Sequence, residues 1–86
     1  MEKYNGWKNY ETFMFILHYG DFLYESYKDL KKLDPELDAV KFVEDFIESI
    51  LIDEIPSNIS GFFSSVIRAS IDLIDVERIA ESLLED

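Results

Sequence analysis

What this chain lacks narrows it before any motif is read. It has no cysteine, which removes disulfides, thiolate metal sites and thiol nucleophiles and suits a reducing compartment. A single histidine, His18, leaves most nucleophile–base pairs without a base. No glycine-rich phosphate loop is present, and no stretch alternates oxygen ligands around a glycine as a calcium loop does. No apolar run approaches the ~20 residues of a membrane span. The opening MEKYNGWK has neither an apolar core nor a small-residue cleavage site of a signal peptide. The expectation is a soluble cytoplasmic protein that is not an enzyme, with no cofactor, no metal and no membrane contact.

Bases are scarce as well. Eight Lys and Arg face nineteen Asp and Glu, for a net charge of −11. Residues 1–33 carry five acids and five bases, so the excess lies entirely in residues 34–86, where fourteen acids face Lys41, Arg68 and Arg78. Such a field repels nucleic acid and attracts basic surfaces. It also serves plain solubility.

With three Gly and two Pro, there is little to interrupt helices, and the apolar spacing predicts an all-α fold: one compact domain, residues 1–86, of four to five short helices. Asn9 reads as the N-cap of a first helix, about Tyr10 to Tyr19. Gly20 reads as its C-terminal stop and Asp21 as the cap of a second helix, about Phe22 to Lys32. Asp34-Pro35-Glu36 reads as the start of a third helix reaching about Ile52. Ser57 or Asn58 opens a fourth, about Ile59 to Ser70, and Asp72 or Asp75 caps a fifth, about Val76 to Leu84. Such a chain buries roughly 60–65% of its unfolded surface, a marginal core unless densely apolar or shared.

Charges on the third helix recur at Asp34, Asp38, Lys41, Asp45 and Glu48, with Glu44 alongside. At ~1.5 Å rise per residue they stand ~5–6 Å apart, comparable to phosphates along a nucleic-acid strand. An ordinary solvated helix face has the same spacing. The last two helices have the outline of a helix-turn-helix. The second of them, however, carries Asp75, Glu77, Glu81, Glu85 and Asp86 against Arg78, so no direct nucleic-acid contact is expected.

Nine of the thirteen aromatics lie within the first 27 residues. Phe13, Met14, Phe15, Ile16, Leu17 and Tyr19 surround the first helix on nearly every side, which calls for either a central helix or one packed on another chain. His18 is expected to pack with one nitrogen satisfied by a backbone carbonyl. In YNGWKNYETF, Gly6 permits a tight turn, Trp7 can fold back as a staple, and Thr12 can bond locally to the helix start. On that reading the stretch is a structural corner.

The same residues carry a resemblance. Asn5, Gly6, Trp7, Asn9, Thr12 and Phe13 follow a pattern N-G-W-x-N-x-x-T-[WF] that resembles a group of small phage and plasmid proteins. Gly20-Asp21 matches the aspartate-containing break that follows in that group. Asp75, Ile79, Ala80 and Leu83 resemble the group's ending, I-D-x-x-x-I-A-x-x-L. The group usually has Trp where this chain has Phe13. The resemblance implies a mobile-element origin, and small acidic proteins of that origin are often anti-CRISPR or anti-restriction inhibitors, some of them nucleic-acid mimics.

The expected partner is therefore a host defence protein or complex with a basic nucleic-acid-binding surface, met in the host cytoplasm. Asp38, Asp45, Glu48, Glu77, Glu81 and Glu85 form the expected acidic face. Tyr4, Trp7 and Tyr10 form a candidate aromatic interface. The alternative is a self-associating helical scaffold, a homodimer through the aromatic N-terminal half.

Overall fold

The computed structural model describes residues 4–85, and Asp86 lies outside them. It holds four α-helices and one π-helical turn, with no strand among the described residues. The all-α reading stands; the helix boundaries change.

The chain enters through a turn in which the Trp7 N–H donates to the Tyr4 carbonyl at 2.9 Å. Asn5 and Gly6 both take positive φ, 54° and 95°. That pair of left-handed residues is what Asn-Gly tolerates and most side chains do not. The first helix, α1, then runs unbroken from Tyr10 to Leu33, and Asn9 caps it. The expected stop at Gly20 and second start at Asp21 do not occur. Thr12, Phe15, Leu23 and Tyr27 are buried along one stripe, with Ile16, Tyr19 and Tyr24 packed beside them. That 3.6-residue stripe crosses Gly20 without losing register. Its burial outweighs the ~1 kcal/mol that glycine costs inside a helix.

Asp34 ends α1 instead of opening the next helix. Its N–H donates to the Leu30 carbonyl, and its carboxylate accepts from the Glu36 N–H at 3.2 Å. With the Leu37 N–H on the Asp34 carbonyl, Asp34 to Leu37 form a turn with Pro35 at its second position, where the fixed φ suits. Asp38 then caps α2, Ala39–Ile47, by accepting from the N–H groups of Val40 and Lys41. The helix continues as a π turn, Glu48–Ile52, closed by the Asp53 N–H on the Glu48 carbonyl five residues back.

Ser60 caps α3, Gly61–Asp72, two or three residues later than expected. Asp75 caps α4, Val76–Leu84, within the expected bounds. The core forms where α2 meets α4 and α1. Val43 and Ile79 are fully buried at that junction, as is Leu23, each stabilising the fold by about 1.5–3 kcal/mol. Phe42 and Phe46 carry the contact to α1, their ring centroids 5.4 Å from Tyr27 and 6.1 Å from Phe15. α3 buries none of its residues. The molecule is a slab of 41 × 35 × 17 Å.

A continuous α1 has a direct test. Gly20 sits in helix with no positive φ, and an added Cβ would meet only the Ile16 methyl, at 3.2 Å. Gly20→Ala should therefore raise stability by up to about 1 kcal/mol in urea unfolding. A loss of stability would instead show that the Ile16 side chain cannot give way to the added Cβ.

Candidate acidic interface

The N-terminal corner fixes the frame on which the acids stand. The Asn9 side chain accepts from the Thr12 N–H at 2.9 Å and donates to the Leu73 carbonyl at 2.7 Å. Thr12 is fully buried, and its hydroxyl accepts from the Asp75 N–H at 2.8 Å. The Thr12 hydroxyl therefore does not bond back to its own helix start; it reaches across to the turn between α3 and α4. Asp75 in turn caps α4 by accepting from the Arg78 N–H at 3.2 Å, and Lys8 lies 3.7 Å from its carboxylate.

Trp7 is half-buried against the core, with the Arg78 guanidinium 5.7 Å from its ring centre. The expected aromatic trio is split. Trp7 serves the corner, whereas Tyr4 and Tyr10 form an edge-to-face pair at 6.3 Å, with Tyr10 exposed.

All six expected acidic residues are exposed, but they do not form one uniform row. Asp34 lies outside α2, and Asp38 is engaged in capping. Lys41 stands 3.7 Å from Asp45. Arg78 stands 3.9 Å from Glu81 and 3.2 Å from Glu85. Glu48 and Glu77 make no ion pair among the described residues. Around them the fold gathers two acids that the sequence reading had left to the side. Glu44 on α2 and Glu48 one turn later, at the start of the π turn, share a shallow depression with Asp72 at the end of α3. Asp72 also borders a second depression with Asp75 and Glu77, at which Lys8 stands beside Asp75. The result is an acidic ribbon, Glu44–Glu48–Asp72–Glu77, running from α2 across the α3–α4 turn. A second cluster, Asp34, Glu36, Asp38 and Asp45, surrounds Lys41 at the other side of α2.

The bases gather elsewhere. Lys28, Lys31 and Lys32 flank a pocket with Tyr24, Tyr27, Leu83 and Leu84, at the C-terminal end of α1, where the helix dipole favours cations. His18 is exposed on α1 and has no hydrogen bond among the described residues, contrary to the packed, satisfied imidazole expected. Leu17 is also exposed, so α1 is not a helix buried on all sides. Among the described residues no group of three or more His, Asp or Glu is placed to hold a metal. None of their helices is long and apolar enough to cross a membrane.

No protein family, curated protein or solved structure matches this chain.

The buried clasp predicts a specific loss. Thr12→Val keeps the shape but leaves the Asp75 N–H without its acceptor, which should cost about 1–3 kcal/mol in urea unfolding. Thr12→Ser should recover most of that. Trp7→Ala should cost on the order of 3 kcal/mol through the cavity it leaves. A Trp7 variant that kept its melting temperature would remove the residue from the frame.

Proposed function

We propose that this chain is a small mobile-element protein that inhibits a host nucleic-acid-targeting defence complex, of the anti-CRISPR or anti-restriction type. It acts stoichiometrically, without catalysis, by occupying a basic nucleic-acid-binding surface with its carboxylates. The observation that supports this most is the ribbon Glu44–Glu48–Asp72–Glu77: exposed acids drawn from three helices, with no lysine or arginine bordering the Glu44–Glu48–Asp72 depression. Glu44 and Glu48 lie about one helical turn, ~5–6 Å, apart. Their attraction for a cationic groove is long-ranged and speeds association. The lysines at the far end of α1 are repelled by the same groove, so the molecule's charge asymmetry orients it, ribbon first, during approach.

The test must spare the capping acids, because reversing Asp38 or Asp75 would disturb a helix start as well as the field. Glu44→Lys with Glu48→Lys avoids this, since cations are favoured near the C-terminal end of a helix. The assay is plasmid cleavage by purified Cas effector complexes and restriction enzymes, with and without the protein. Wild-type protein should inhibit at least one of them and displace its DNA or RNA. Its affinity should fall as salt rises from ~50 to ~200 mM, the range over which phosphate contacts weaken steeply. The double reversal should keep the fold and lose inhibition, mainly through slower association. If the reversal inhibits as well as wild type, acidic mimicry is wrong.

A further inference from the structure

Among the described residues α3 is the one α-helix that buries none of its side chains. Its residues fall on three stripes one turn apart. Phe63, Ile67, Ser70 and Ile71 lead inward to Ile74. Phe62, Val66, Ala69 and Leu73 form a neighbouring apolar stripe. Gly61, Ser65, Arg68 and Asp72 make a polar one, and Ser64 falls between it and the first. The helix touches the core at its last turn, through Ile71 and then Ile74 beyond its end. Its first two turns project away, leaving Phe62 72% and Phe63 57% exposed, their rings edge to face at 5.4 Å.

Beside that last turn lies an apolar groove of about 310 Å3. Met14, Phe15 and Tyr19 of α1 form one wall, Leu51 of the π turn and Ile71 and Ile74 form the other, and Glu11 sits at its edge. One chain thus carries both an apolar projection and an apolar recess.

We propose that a second copy of this chain covers α3, with Phe62 and Phe63 of each protomer seated in the α1–α3 groove of the other. Exchange of this kind about a two-fold axis fills both recesses with both projections and closes the assembly at two chains. The magnitudes agree. The chain exposes 6202 Å2, whereas a compact monomer of its mass exposes about 5,300 Å2. The excess is close to the roughly 800 Å2 that each partner gives to a standard interface. The radius of gyration is 13.9 Å, against about 12 Å for a compact chain of this length.

Charge selects the same partner. A chain of net charge −11 repels its own copies everywhere that its acids stand. Residues 59–71, however, carry a single charge, Arg68, and the groove is edged by one acid, Glu11, with the single histidine, His18. Neither Arg68 nor Glu11 makes an ion pair within the chain among the described residues, and across the two-fold they are available to each other. The neutral face is therefore where copies of this protein can meet, and the acidic ribbon stays free at the surface of both. The inference is independent of the inhibitory reading.

Sedimentation equilibrium of the full chain at ~100 µM, above the roughly micromolar affinities at the weak end for standard interfaces, reads the outcome. Wild-type protein should sediment at twice its 10.1 kDa chain mass. Phe62→Ser with Phe63→Ser should sediment at the single-chain mass with an unchanged circular dichroism spectrum. Arg68→Glu, which removes no apolar surface, should weaken the dimer several-fold at low salt. Paired with Glu11→Arg it should regain affinity. A wild-type chain that sediments as a monomer, or a double Phe→Ser variant that still dimerises, overturns the proposal.

Discussion

A single buried hydroxyl ties the two ends of this protein together. Thr12 has no solvent, so its oxygen must be satisfied inside, and it is satisfied by a backbone N–H sixty-three residues away. That N–H belongs to Asp75, whose side chain starts α4, and Asn9 secures the same turn through the Leu73 carbonyl. The cap of the first helix and the cap of the last are in effect one hydrogen-bonded unit. With the turn held, Ile79 and Leu83 are presented to α2, and Glu77 is placed beside Asp72. The core and the acidic ribbon both depend on that one attachment.

How far this was legible in the sequence differs from element to element. Asn9 and Asp75 announce themselves as caps because a cap is local: a short polar side chain ahead of an apolar-periodic run. The π turn was legible only as a continuation of helix. Gly20 and Asp34-Pro35 were misread for a common reason. Each is a real breaker signal, but glycine in α1 is overridden by the stripe that buries Leu23 and Tyr27, and Asp34 was already committed to closing the helix before it. Propensity at one residue loses to burial over several.

The acidic surface was legible in outline. The acids were expected at the surface and are there, because charge patterning on a helix reports its solvent face directly. Which of them stand free was half legible: Arg78 meets Glu81, and Lys41 meets Asp45, by helical spacing, whereas Asp72 comes to share a depression with Glu48 only through the fold. The Thr12–Asp75 bond was invisible for the same reason. One cue was present: Thr12 lies on the stripe of Phe15, Leu23 and Tyr27, and a hydroxyl on a buried stripe needs a partner from another element.

The π turn at Glu48–Ile52 gives α2 one residue more than an α-helix would hold over the same length. Leu51 lines the groove along α1, and Ile52 lines the depression beside Asp72. Such a turn is a reservoir of a single residue. Deleting one position there would leave ordinary helix over the same length, with the chain beyond it in nearly the same place. A one-residue change of length at this point is thereby absorbed where it arises, and the acidic surface of α2 and the lead-in to α3 keep their directions.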